Sequence, residues 1–170
     1  ALYRLTGIHA AELTNQYMDA ENLFSSSLRE VNEQLHHAKS YADMVETANA
    51  FICMLIRKQK KSRLRIDDTL FHFLKINGKI SIEKLSAEAC LSTKQLERKF
   101  KERTGVNPKL YARIIRFDRA FRLKNSRPEL DWLRIAVECD YHDYQHLAKD
   151  YKDFTGLTPN AFHEIENNAP

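Results

Sequence analysis

Lys94, Glu97, Arg98 and Lys101 stand at i, i+3, i+4 and i+7, so a helix through them carries all four on one face, with Leu96 and Phe100 on the opposite side. Such a face suits recognition of a nucleic acid. An arginine presents a planar fork matched to guanine O6 and N7, a carboxylate can accept from cytosine N4, and lysines can serve bases or phosphates. The bland alternative is a solvated ion-pair stripe in which Glu97 orients Lys94 or Lys101. Gln145, His146 and Lys149 form a second exposed group of donors at helical spacing. Asn107, Lys109, Thr158 and Asn160 fall at expected helix starts, where backbone N–H groups and polar side chains can hold phosphate, although capping alone accounts for Asn107 and Thr158. Arg113, Arg116 and Arg119 share nearby turns and face either the duplex or Asp118.

Positioning these groups requires helices, and the chain is patterned for them. Leu23, Phe24, Leu28, Val31 and Leu35 form one apolar stripe; Tyr41, Met44, Val45, Ala48, Phe51, Ile52, Leu55 and Ile56 form another. No strand alternation competes, and four glycines and four prolines leave few turns, so an all-α chain is expected. The two stripes predict a helical hairpin with surface left for a second copy, hence a homodimer through residues 1–65. Six cations between Arg57 and Arg65 mark the best linker, dividing the chain into 1–65 and 66–170. They read either as a solvated helix end or as phosphate contacts.

The most informative feature is an internal repeat. Phe100-Lys101-Glu102-Arg103-Thr104-Gly105-Val106-Asn107-Pro108 returns as Tyr151-Lys152-Asp153-Phe154-Thr155-Gly156-Leu157-Thr158-Pro159, and an aromatic follows each proline at the same offset, Tyr111 and Phe162. Each copy reads as a helix end followed by a helix start. Glycine supplies the left-handed stop, Asn107 or Thr158 can cap the next helix, and proline suits its first turn. The upstream halves also correspond, Leu85-Ser86-Ala87-Glu88 with Ile135-Ala136-Val137-Glu138. Two helix-turn-helix units result, with reading helices expected over about 93–103 and 144–154 and a connecting helix over about 108–124. That connector is about 25 Å long, against about 34 Å between successive major grooves, so both units engage adjacent grooves only if the DNA bends or one unit engages partially.

Charge singles out the first unit. Residues 81–127 carry 13 Lys+Arg against 5 Asp+Glu, whereas residues 128–170 carry 3 against 9. A basic block of this kind attracts a polyanion by counterion release, although on charge alone a solvated face is an equal alternative. The acidic second segment is expected to hinder its own unit.

These residues resemble the AraC/XylS family of transcription regulators over about Ile66 to Glu166. The resemblance rests on Ile82-Glu83-Lys84-Leu85, Leu91 to Lys101, Thr104 to Pro108 with Tyr111, Arg116 to Ala120, Ile135-Ala136, and Tyr151 to Pro159. It implies a seven-helix DNA-binding domain, two helix-turn-helix units joined by a long central helix, preceded here by the hairpin. It also implies double-stranded DNA as partner and RNA polymerase as a further one. Residues 1–65 resemble the helical connector of some members, which implies a ligand-sensing domain upstream. Two departures stand out. The family's turn glycines fall here on Cys90 and Asp140, where Asp tolerates the left-handed region and Cys costs up to about 1 kcal/mol. The second reading helix lacks the usual basic richness, with Asp143, Asp150 and Asp153 against Lys149 and Lys152.

Other chemistry finds little support. Cys53, Cys90 and Cys139 lack zinc-site spacing and disulfide density; all three are expected to be reduced and structural, Cys90 as a packing residue. His142 and His146 have the spacing of a metal pair, but Asp143 occupies the zinc-protease glutamate position and no third ligand is evident, so a surface pair is expected and no metal or other cofactor. No Gly-rich phosphate loop and no nucleophile with a recognisable base point to an enzyme. Trp132 and Leu133 are expected in the core. No apolar stretch is long enough to cross a bilayer and no basic-then-apolar leader opens the chain, so a cytoplasmic protein without membrane association is expected. The competing class is a helical adaptor whose partner surface lies in the first 65 residues; it leaves the repeat unexplained.

Overall fold

The computed structural model describes residues 2–24 and 26–167, and the regular structure among them is entirely helical. The helices are α1 (Leu2–Thr6), a 3₁₀ turn (Ala10–Leu13), α2 (Ala20–Phe24), α3 (Ser26–His36), α4 (Tyr41–Arg57), α5 (Arg65–Lys75), α6 (Ile82–Ala89), α7 (Thr93–Thr104), α8 (Pro108–Ser126), α9 (Trp132–Glu138), α10 (Tyr144–Thr155) and α11 (Pro159–Asn167). The seven helices from α5 onward are those the sequence leads one to expect, with α7, α8 and α10 within two residues of their expected bounds. The chain divides into two compact units, one of residues 1–70 with 82–107, the other of residues 71–81 with 108–170.

In the first unit α3 packs on α4 as the expected hairpin. Ser40 caps α4 by accepting from Asp43 N, and Phe24 meets Phe51 edge-on with ring centres 6.1 Å apart. The helix-turn-helix core is built on Ile66, Leu85, Ala89, Leu96 and Phe100, all buried. The beginning of the chain also packs on this unit, which the apolar stripes gave no reason to expect. α1 and the 3₁₀ turn lie against α7, Arg103 sits 4.8 Å above the Tyr3 ring, and Thr14 Oγ1 donates to the Gly105 carbonyl at 3.4 Å. Arg103 is itself almost fully buried and pairs with Asp67 at 2.8 Å. The basic segment after α4 is tied down as well: the Lys60 and Lys61 amides both donate to the Arg4 carbonyl.

The second unit is centred on Ala120, Ile135, Ala136, Cys139, Tyr141, Leu147 and Tyr151, with Phe117, Trp132 and Phe162 packed against them. Lys124 is buried at the end of α8, where its ammonium donates to the carbonyls of Pro128 (2.6 Å) and Leu130 (2.8 Å) and so closes the turn toward α9.

The repeat is one backbone design used twice. After α6 and after α9 a single residue turns left-handed, Cys90 at φ 55° and Asp140 at φ 64°. The next amides, of Leu91 and Tyr141, then reach back to the carbonyls of Ser86 and Ala136, both at 2.9 Å. The helices that follow end alike, on Gly105 at φ 85° and Gly156 at φ 77°. Three expectations about packing fail. Cys90 is exposed, not packed, its sulfur 2.7 Å from Arg65 Nη1, because a left-handed turn residue points its side chain away from the two helices it joins. Cys53 is also exposed, which leaves Cys139 alone of the three in a core. Trp132 is half-buried against Tyr151, but Leu133 is 60% exposed, since Ile135 and Ala136 occupy the inward positions of this short helix.

Candidate nucleic-acid interface

α7 is fixed at both ends. Ser92 Oγ accepts from the Gln95 amide and Gln95 Oε1 accepts from the Ser92 amide, a reciprocal cap, and Gly105 closes the last turn with a bond to the Lys101 carbonyl at 2.9 Å. Leu96 and Phe100 are completely buried. That anchorage leaves only one orientation for the polar face, and Lys94, Glu97, Arg98 and Lys101 are all exposed on it. Arg98 lies 3.6 Å from Glu102 Oε1, one turn on, rather than pairing with Glu97. No ion-pair partner holds Lys94, Glu97 or Lys101 among the described residues. All four can therefore meet a ligand without first breaking a strong internal contact, since an exposed pair like Arg98–Glu102 contributes at most about 1 kcal/mol.

α10 is built on the same plan with different chemistry. Asp143 caps it by accepting from the His146 amide at 2.8 Å, and Leu147 and Tyr151 are completely buried. Gln145, His146 and Lys149 are exposed on the outer side. The His146 ring is held by Asp143, its Nδ1 2.9 Å from Oδ1. Hydrogen bonds from His146 and His142 hold the Asp143 carboxyl far below the usual carboxylate range.

The central helix departs from expectation. Arg113, Arg116 and Arg119 do not turn to Asp118, which pairs with Arg122 instead. Arg113 Nε donates to Asp150 Oδ1 at 2.9 Å and its Nη2 donates to Asp153; Arg116 reaches Asp150 Oδ2 at 3.4 Å and lies 4.4 Å from the centre of the Tyr141 ring. Arg119 donates to Asp140 at 2.8 Å, and Lys79 pairs with the same carboxylate at 2.6 Å. Helical period explains this. On α8 these arginines come round to the side where α10 and the α9–α10 turn pack, so Asp140, Asp150 and Asp153 are paired inside the second unit. Arg113 is thus engaged within the fold.

The helix-start residues divide. Lys109 and Asn107 are exposed at the start of α8. Thr158 Oγ1 accepts from the Ala161 amide at 3.3 Å, and the Asn160 side-chain carbonyl accepts from Trp132 Nε1, so capping and packing occupy both. What sequence reasoning missed is Asp143 as a partner of both His142 and His146; the three lie within five consecutive positions, and the helix start brings their ligand atoms together. No helix among the described residues is long and apolar enough to cross a membrane.

Comparison with known proteins agrees with this architecture. Residues 85–165 match a family described as "Helix-turn-helix domain". The HTH-type transcriptional regulator ArgR of Pseudomonas aeruginosa is 27% identical over 84 residues, 49% of this chain, which spans about a quarter of that relative's length. The DNA-binding domain of AdpA, a global transcriptional factor solved in complex with a target DNA, superposes with a TM-score of 0.55 at 19% identity, covering 62% of this chain and 97% of that one. A DNA-binding transcriptional dual regulator from Escherichia coli K-12 gives 0.51 at 18% identity, covering 65% and 99%. Residues 85–165 are thus a helix-turn-helix domain by sequence, and the helices from α5 to α11 share the fold of these two solved structures.

Proposed function

We propose that the chain binds double-stranded DNA sequence-specifically as the DNA-binding part of a transcription regulator, with α7 the principal reader and α10 the second. The observation that carries this is the outward face of α7: four chemically apt side chains, uncommitted apart from one weak pair, on a helix whose opposite face is completely buried. The repeated turn geometry supports a second reader on α10, and Arg98 is assigned to guanine, Glu97 to cytosine N4, and Lys94, Lys101 and Lys109 to bases or phosphates. Gln145, His146 and Lys149 are assigned to the second groove. The reading is of a binding protein, not an enzyme. Contact with RNA polymerase and a cytoplasmic place of action belong to the same reading and draw their support from the kinship of residues 85–165 alone. Selection of binding sites from random duplexes, followed by salt titration of the selected site, tests it. An enriched motif whose affinity falls steeply with salt is the expected result. Absence of enrichment, with weak binding indifferent to sequence, would leave an adaptor as the better description.

A homodimer through residues 1–65 is proposed on separate grounds. Along α4, Tyr41, Met44, Val45, Ile52 and Ile56 remain between 41% and 81% exposed after the hairpin has formed. Sedimentation across the micromolar range should show a mass that rises with concentration; a constant monomer mass would make this region a passive connector.

A further inference from the structure

His142 and His146 are 85% and 61% exposed, so neither imidazole is placed by packing. Yet both direct Nδ1 at one carboxylate: His142 Nδ1 lies 3.1 Å from Asp143 Oδ2 and His146 Nδ1 lies 2.9 Å from Oδ1, with the two rings 5.5 Å apart between centres. Capping α10 requires only the bond from the His146 amide to Asp143 and accounts for neither ring. One ligand atom from each of the three residues lies within 4.8 Å of the others. A tetrahedral zinc ion with bonds of about 2.0–2.2 Å needs its donors about 3.4 Å apart, and exposed side chains cover that difference by small rotamer changes.

We propose that His142, Asp143 and His146 form a surface site for a divalent transition metal at the start of α10. Two imidazoles and one carboxylate favour zinc, nickel or copper over magnesium or calcium, which take oxygen donors. The fourth position falls to solvent. The positive end of the α10 dipole opposes a cation here, and the Asp143 carboxylate offsets it. Because a ligand of this site, His146, belongs to the exposed group with Gln145 and Lys149, metal would add positive charge where the second unit is poorest in it.

The test is calorimetric titration of the metal-free full chain with zinc chloride, made in a Cys53→Ser, Cys90→Ser background so that the two exposed thiols do not compete. One equivalent should bind, and His142→Gln and His146→Gln should each weaken it about tenfold or more. Asp143→Asn, which keeps a good cap, should weaken it too. A His36→Gln, His37→Gln variant should bind as the parent does. Zinc should also shift the ring resonances of His142 and His146 in proton NMR, a readout independent of any variant's fold. Affinity unchanged in both single histidine variants, or zinc shifts confined to other histidines, would overturn the site.

Discussion

Arg113 on α8 holds Asp150 on α10 by a 2.9 Å bond from Nε to Oδ1, and Asp150, with its side chain 5% exposed, receives Arg116 on its other oxygen. The carboxylate that net charge would count as repelling DNA is a structural keystone between two helices of the second unit. Removing it strands two partly buried guanidinium groups. Asp150→Ala should therefore destabilise the unit by about 2–3 kcal/mol, below the range for a fully buried pair because both arginines remain about one-third exposed. Asp153→Asn, at a side chain 42% exposed, should cost less than about 1 kcal/mol. Urea unfolding of the two variants checks the order. The two carboxylates changed together to Asn should not give a stronger binder, because Asp150 pairs within the fold.

Asp140 gives the second unit a dependence on acid. Its carboxyl is held below the ordinary value chiefly by the hydrogen bond from Lys79, with Arg119 adding to it. A lowered folded pKa means that the contribution is fully present above the unfolded value of about 3.9 and is lost as pH falls through the lower folded value. Asp140→Asn keeps a residue that tolerates φ 64° while removing the charge. Melting temperatures of parent and variant should differ at pH 6 and converge below about pH 4. Curves that stay parallel over that range would remove Asp140 from the account.

The two helix-ending glycines should answer differently to alanine. Both are left-handed, so each substitution carries a backbone cost of about 1–2 kcal/mol. At Gly156 an added Cβ meets nothing within 4 Å, whereas at Gly105 it would stand 2.8 Å from Thr14 Oγ1 and 3.1 Å from the Ala10 carbonyl. Gly105→Ala should accordingly lose more stability than Gly156→Ala, and Thr14→Ala should recover part of the difference by removing the nearest clash. Equal losses would mean that the 3₁₀ turn does not rest on α7.

The repeat made the domain legible in the sequence because its turns are dictated by local chemistry: a left-handed stop, a cap, a proline. The family resemblance located Cys90 and Asp140 as turn residues, and helical spacing placed Lys94, Glu97, Arg98 and Lys101 on an outer face. What stayed hidden depends on residues distant in the chain. Arg113 and Asp150 are separated by 37 positions, and Arg103 and Asp67 by 36, so no helical period relates them. Net segment charge does not register such pairs. It counts Asp140, Asp150 and Asp153 as a field over the surface when α8 has already neutralised them. The packing of α1 and the 3₁₀ turn on α7 was likewise invisible, since neither short element carries a readable apolar stripe.

DNA reading by this chain is assigned above all to the outer face of α7. Fluorescence anisotropy with the selected duplex and a scrambled one, at two salt concentrations, compares the parent chain with Arg98→Ala and Lys149→Ala. Arg98 is exposed and held only by Glu102, so its loss should leave the fold intact, cost about 1–3 kcal/mol on the selected site and relax choice at one base position. Lys149→Ala should cost less. If Lys149→Ala loses more affinity than Arg98→Ala while both variants keep the parent's helical circular dichroism, α10 is the main reader and the assignment of α7 is wrong.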